Sequence, residues 1–196
     1  MSLLTTLLIL TASSGALPAE PISAQGSFPV ACTYVSTFET KTSERCARKR
    51  GDTYEIAPEI LRDLTYSEGL ASIAFHGHGW FYRHRNGRMM EMLTFDNGPD
   101  SFEEGFARGR VDGNMVFVDH GLNVRLELPY TFAFPFSRGR AVVCQGCVEV
   151  SKDNGEHRAM EGGKWGAIDK TGRLVVPMTA NMMDVYDRVR SGGSAQ

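Results

Sequence analysis

Four cysteines carry the clearest candidate chemistry in this chain. Cys144 and Cys147 are spaced as C-x-x-C, and Cys32 and Cys46 lie in the N-terminal part of the sequence. This spacing is compatible with two structural disulfides, with a thiol–disulfide exchange site, or with a zinc ion bound by all four thiolates. A redox C-x-x-C needs a helix that starts at its first cysteine, but an apolar, strand-like run precedes Cys144 and Gly146 disfavours a helix. The residues therefore favour two disulfides, and three connectivities remain open.

Two histidines, in the run His76-Gly77-His78, are the second candidate. On a strand, residues i and i+2 point to one face, so both imidazoles could bind one metal ion. No third ligand can be identified, and two histidines beside flexible glycines also fit an exposed hairpin. We therefore predict no metal and no cofactor, and we keep His76 and His78 as the only candidate ligands.

Catalytic motifs are missing from the sequence, which has no G-x-S-x-G elbow, no H-E-x-x-H and no P-loop. We predict no catalytic residue and a binding role instead. The candidate binding patch is Tyr82, Arg83, Arg85 and Arg88, since aromatic and arginine side chains are enriched at binding hot spots. Segment 79–89 is also similar to a single choline-binding repeat of cell-wall proteins, which implies cation–π binding of choline or a glycan as an alternative.

The chain that positions these residues has 196 residues, of which 42% are apolar. Lys and Arg total 21, Asp and Glu total 23, and the net charge is −2. A near-neutral charge argues against nucleic-acid binding, which is typical of basic domains.

The first 19 residues contain no charged side chain, and small residues follow an apolar run at 3–10. This layout is typical of a secretory signal peptide, with cleavage expected after residue 16, 19 or 24. A buried N-terminal helix or an uncleaved anchor is the alternative, although the run is too short to span a bilayer comfortably. We predict a secreted or periplasmic protein without a transmembrane segment after cleavage.

Similar phrases recur after residue 65. Gly69, Gly105 and Gly139 each follow an aromatic residue and a charged residue, and they are 36 and 34 residues apart. A second phrase starts at Trp80, Met115 and Trp165. Self-similarity at this period indicates a repeat architecture, and alternating apolar residues and turn glycines indicate β-hairpins. The residues predicted to build the repeats are Gly69, Trp80, Gly87, Gly105, Gly121, Gly139, Trp165, Gly166 and Gly172.

These phrases resemble the WG repeat family. Segment 163–177 matches the Trp-Gly phrase of that family almost throughout, and segment 102–107 resembles its opening phrase. The first two copies are degenerate, because Phe81 follows Trp80 and Met115 stands at the second Trp position. The stretch 96–100 and the cysteine pair before Gly155 resemble an exported bacterial subgroup. The resemblance implies a β-rich repeat array of unassigned activity, and it supplies no catalytic residues.

We therefore predict a mainly β protein of about three antiparallel β-hairpin repeats, arranged as an open array, barrel-like or as a partial propeller, with one or two short helices. The predicted segments are a signal peptide at 1–19, a disulfide-bearing segment at 20–65, a repeat domain at 66–178 and a tail at 179–196. The copies are expected at 66–101, 102–135 and 136–178, the last with an insertion at 144–161. Short helices are expected at 58–64 and 180–189.

The predicted function is that of an exported, non-catalytic binding or scaffold module for a protein or envelope ligand. The alternative is a thiol–disulfide or metal-binding protein. Oligomeric state and ligand identity remain open.

Overall fold

The computed structural model describes residues 27–191 apart from 38, 96 and 153–156. Strands account for 59% and helices for 10% of the structure, so the mainly β prediction with short helices is confirmed. The predicted signal peptide and its cleavage sites lie outside the described residues. The elements are β1 (Val30–Ser36), β2 (Glu39–Arg50), β3 (Thr53–Ile56), α1 (Pro58–Asp63), β4 (Leu70–Phe75), β5 (Gly79–His84), β6 (Met89–Met92), β7 (Thr94–Phe95), β8 (Gly98–Pro99), β9 (Ala107–Val111), β10 (Asn114–Val118), β11 (Val124–Glu127), β12 (Phe132–Ala133), β13 (Arg140–Lys152), β14 (His157–Asp169), β15 (Leu174–Thr179) and α2 (Met182–Arg190).

Nine strands form one antiparallel sheet in the order β11-β10-β9-β6-β5-β4-β1-β2-β3. The sheet curls into a half-barrel. The curl is evident from Tyr54 in β3, whose ring centroid lies 5.2 Å from that of Phe81 in β5 although three strands separate them. Among the arrangements predicted from the sequence, the structure is therefore consistent with the open array, and its large sheet is curled like part of a barrel.

Two strand pairings join the predicted segments into this sheet. β1 pairs with β4, so segment 20–65 shares a sheet and a core with the first predicted copy. β6 pairs with β9 through Met92 and Gly109, which joins the first predicted copy to the second.

A four-stranded sheet, β12-β13-β14-β15, contains the third predicted copy. β13 and β14 pair along their whole length, from Arg140 opposite Asp169 to Lys152 opposite His157. β12 and β15 cover only the base of this hairpin, so the described part of the predicted insertion at 144–161 extends it as a two-stranded arm. Helix α2 packs its buried Val185 and Val189 against this sheet.

Three tight turns share one geometry. They span 67–70, 103–106 and 137–140, and each closes with two reciprocal backbone hydrogen bonds. Both central residues have positive φ, as in a type I′ turn: 49° and 86° at Glu68 and Gly69, for example. Gly105 and Gly139 hold the same position with φ of 91° and 74°, a region that glycine adopts without steric cost.

Three longer turns, at 84–88, 119–123 and 169–173, also share one hydrogen-bond pattern. In each, the first N–H donates to the fifth carbonyl, and the fourth N–H donates to the first carbonyl. The fourth residue has positive φ and is Gly87, Leu122 or Gly172. Leu122 therefore occupies the position that the sequence assigned to Gly121, one residue earlier. Leu122 is only 1% exposed, and its burial offsets the cost of the left-handed backbone.

The two tryptophans that start the second phrase in the first and third predicted copies have different surroundings. Trp165 is 3% exposed and packs with Cys144 and Cys147 beneath α2. Met115 is also buried, in a separate cluster between the two sheets. Trp80 is only half-buried, and it lies outside the hydrophobic clusters of the described residues.

Candidate ligand-binding cleft

The cysteines form two disulfides, Cys32–Cys46 and Cys144–Cys147, with Cα–Cα distances of 5.6 and 6.1 Å. The favoured disulfide assignment is confirmed, and the structure selects the local connectivity. The two pairs belong to different hydrophobic clusters, so the four sulfurs do not come together as a zinc site.

The C-x-x-C pair lies within strand β13 and is almost completely buried, at 0% and 3% exposed. Gly163 lies directly against the segment between the two cysteines, where a Cβ would be 2.5 Å from the backbone nitrogen of Cys147. The indole Nε1 of Trp165 donates to the carbonyl of Gly162 at 2.8 Å, which fixes the ring beside the disulfide. These contacts indicate that the Cys144–Cys147 disulfide has a structural role and stabilises the base of the arm.

The candidate metal ligands His76 and His78 lie in the β4–β5 turn rather than on a strand. His76 Nε2 is hydrogen-bonded to Thr33 Oγ1 at 2.9 Å, whereas the ring of His78 lies 5.6 Å from the ring of Tyr54. Within the described residues, no group of three potential ligand side chains is close enough to hold a metal ion.

The four residues of the predicted binding patch are divided between separate contacts. Tyr82 packs against Phe102 at 5.7 Å. Arg83 donates to the hydroxyl of Tyr66, and the Arg85 guanidinium lies 4.5 Å from the centroid of the same ring.

The fourth patch residue, Arg88, reaches the next turn, where it donates to Asn123 and to the carbonyl of Gly121. The three arginines are thus occupied by intramolecular contacts. Tyr82 and Arg83 alternate along β5 and point to opposite faces of the sheet.

A cleft of about 510 Å³ opens on the concave face of the curled sheet. Its floor is formed by Phe81 and by Met89 to Glu91 of β5 and β6. Three hairpin connections surround it: β2–β3, β4–β5 and β9–β10. The cleft exists because the curl brings β3 over β5, and it is of the size that small-molecule sites usually have.

Tyr54 forms one wall of the cleft and is held rigidly. Its ring stacks on Phe75 at 4.2 Å and meets Phe81 edge-on at 5.2 Å, and the residue is only 7% exposed. Its hydroxyl has no hydrogen-bond partner among the described residues. Every fully enclosed side-chain oxygen or nitrogen in the described chain is hydrogen-bonded, so this hydroxyl is not fully enclosed, and Tyr54 lines the cleft.

Glu91 supplies a second unpartnered acceptor on the cleft floor. It is half-buried between Phe81 and Arg110 on the neighbouring strands, and its carboxylate makes no hydrogen bond or ion pair with any described residue. Burial, and secondarily the charge of Glu91, raise the pKa of the Tyr54 phenol, which keeps the hydroxyl protonated. Two oxygens that can accept hydrogen bonds, the Tyr54 hydroxyl and the Glu91 carboxylate, therefore belong to residues that line the same cleft.

Cations lie beside both acceptors. Lys49 is the cross-strand neighbour of Tyr54, and Arg110 is the cross-strand neighbour of Glu91. Lys49 has no partner among the described residues, and Arg110 makes one hydrogen bond, to the carbonyl of Gly113 at 3.2 Å. The cleft thus holds charges of both signs that the protein does not pair with one another.

Comparisons with family models, with curated proteins and with solved structures find no match to this chain. The resemblance to WG repeats therefore depends on the motif residues alone. In the part of the chain that the structure describes, no helix has the length and apolar composition needed to cross a membrane.

Sequence reasoning identified only one cleft residue, His78, and for a different role. Lys49, Tyr54, Glu91 and Arg110 come from four strands and form no motif along the chain.

Proposed function

We propose that this chain is an exported, non-catalytic binding protein whose ligand site is the concave cleft. The observation that carries the proposal is Tyr54, which lines the cleft, is held in a rigid aromatic cluster and has a hydroxyl without a hydrogen-bond partner among the described residues. A hydroxyl held rigidly in this way is preorganised, so a ligand that hydrogen-bonds to it loses little freedom of the protein on binding.

Export is supported by the uncharged leader pattern at 1–19 and by the two buried disulfides, because such bonds persist in oxidising compartments. Membership of the WG repeat family is part of this proposal. It is supported by the match of 163–177 and by the shared geometry of the tight and long turns.

The alternatives receive less support. Thiol–disulfide exchange needs an accessible sulfur, and both sulfurs of the C-x-x-C pair are buried. A choline cage needs several aromatic faces around one space. Trp80 and Tyr82 share one face of β5 whereas Phe81 lies on the other, and Tyr82 is already packed on Phe102.

A thermal-shift screen of the purified protein against amino acids, amino sugars and choline tests the cleft. At least one compound is expected to raise the melting temperature of the wild type but not that of Tyr54→Phe, which removes only the hydroxyl. Tyr130→Phe, which removes a hydroxyl outside the cleft, is the matched control and should respond as the wild type does. If no compound shifts the wild type, or if every shift persists in Tyr54→Phe, the cleft is not the ligand site.

A second experiment tests the export part of the proposal. After expression of the full chain in a Gram-negative host, mass spectrometry of the periplasmic fraction should find a mature N-terminus at residue 17, 20 or 25. A cytoplasmic product that begins at Met1 would contradict export.

A further inference from the structure

We infer that the cleft binds a zwitterionic small molecule, one that carries an ammonium group and a carboxylate, as amino acids do. This inference rests on the proposed function and names the ligand class for the same site. It depends on the arrangement of four side chains, Lys49, Tyr54, Glu91 and Arg110.

The first half of the argument concerns the ammonium group. The Tyr54 hydroxyl and the Glu91 carboxylate both lack partners among the described residues and face one space. An ammonium has three donors and no acceptor, so it can donate to both oxygens at once. The bond to Glu91 is charge-assisted and is the stronger of the two. A carboxylate placed here would meet the Glu91 charge instead.

The second half concerns the carboxylate. Lys49 and Arg110 carry the positive charge of a cleft whose hairpin connections also hold Asp52 and Asp112, and neither cation is paired with an acidic side chain of the described chain. Each lies on the strand next to one of the two acceptors, so a ligand that places its ammonium between Tyr54 and Glu91 can direct its carboxylate to a cation. A ligand with two ammonium groups would leave both of these cations without a partner.

The space between the polar groups is apolar. Phe81 is 4% exposed on the floor, and the side chain of Met89, on the same face of β6 as Glu91, continues this surface. A short alkyl chain between the two charged ends would cover this floor, and methionine side chains adapt to ligands of different shape. A cleft of about 510 Å³ is large enough for such a molecule.

Three linear six-carbon molecules test which charges the ligand must carry at its two ends: 6-aminohexanoate, hexane-1,6-diamine and adipate. Isothermal titration calorimetry with the intact mature chain is expected to give at least tenfold tighter binding of 6-aminohexanoate than of the diamine or the diacid. Glu91→Gln keeps the shape and removes the charge, and it should weaken binding of 6-aminohexanoate at least tenfold. Glu59→Gln, on the exposed side of α1, is the control and should bind as the wild type does.

A second variant keeps the test decisive if Glu91→Gln folds poorly. Lys49→Gln alters an exposed residue and should weaken binding of 6-aminohexanoate while improving that of the diamine relative to the wild type. The inference is overturned if the wild type binds none of the three probes, binds all three equally, or keeps its affinity in both variants. If another compound class binds and is lost in Tyr54→Phe, the cleft remains the ligand site and only the zwitterion inference fails.

Discussion

At the scale of single residues, Asp63 holds the N-terminal elements together. Its carboxylate accepts hydrogen bonds from Ser36 Oγ, Lys41 Nζ and the Tyr34 hydroxyl at 2.5, 2.9 and 3.0 Å. These three donors belong to β1 and β2, whereas Asp63 ends helix α1. A single carboxylate therefore fixes the helix against the strands that complete the cleft wall.

This arrangement predicts a pH-dependent stability. The hydrogen bonds from Ser36, Lys41 and Tyr34 lower the pKa of Asp63 from 3.8 to about 2. A lowered pKa means that the folded state favours the carboxylate, so its stabilisation is complete above pH 3.8 and is lost as the pH falls through 2. Asp63→Asn should therefore melt below the wild type at neutral pH, and the difference should shrink towards pH 2.

Thermal melts followed by circular dichroism across this pH range measure the difference. Glu59→Gln on the same helix is the control for a general loss of charge. A melting difference between Asp63→Asn and the wild type that stays constant down to pH 2 would show that the carboxylate charge is not responsible.

At the scale of elements, the turns connect to one another through equivalent residues. Glu68 of the first tight turn lies 3.5 Å from His120 of a long turn, and Glu104 of the second lies 3.0 Å from Lys170 of the next long turn. Glu104 also accepts a hydrogen bond from the N–H of Gly139, the glycine of the third tight turn. The same positions thus recur as contact points from one hairpin unit to the next.

Strands β6 and β9, which join the first predicted copy to the second, form a seam that leaves little space at Gly109. A Cβ added at Gly109 would lie 2.9 Å from the carbonyl oxygen of Glu91 and 3.3 Å from Met90 Sδ. Gly109→Ala should therefore force the two strands apart and lower the free energy of unfolding by about 1–3 kcal/mol, as overpacking does.

Urea denaturation measures this effect. Gly98→Ala is the matched control, because no atom lies within 4 Å of its added Cβ and its φ is not in the left-handed region. Equal midpoints for the two variants would mean that the seam tolerates a side chain and that Gly109 is not required there.

At the scale of the whole molecule, one buried ion pair ties the two sheets together. Arg108 in β9 is 4% exposed and binds Asp100 through two side-chain nitrogens and its own backbone N–H. Its remaining Nη1 donates to the carbonyl of Ala133 in β12, at 2.9 Å. This hydrogen bond links the nine-stranded sheet to the four-stranded sheet.

Removing one partner of this pair should be costly. Asp100→Leu or Arg108→Met leaves an uncompensated buried group, and each should lower the free energy of unfolding by about 3–5 kcal/mol. The double variant Asp100→Leu/Arg108→Met should lose clearly less than the sum of the single losses, since no buried charge remains. A double-mutant cycle from guanidinium unfolding tests this, and additive losses would contradict coupling between the two side chains.

Local interactions explain which parts of the fold were predictable from the sequence. Tight turns at Gly69, Gly105 and Gly139 depend on a backbone conformation that glycine adopts and other residues resist. The positions of these glycines in the sequence therefore indicate the turns. Leu122 shows the limit of this reasoning, because a long-range gain from burial placed a leucine where the neighbouring Gly121 was expected.

The sequence by itself determined the class of structure: strands from alternating apolar residues, hairpins from turn glycines, a short first helix and two disulfides, whose connectivity it left open. Only the tertiary structure decided where the site lies. Tyr54 and Glu91 lie in strands that are five places apart in the order of the sheet, and they face one cleft only because the sheet curls. Curl arises from the summed twist of many strands and from packing on both faces, so no short segment of sequence records it.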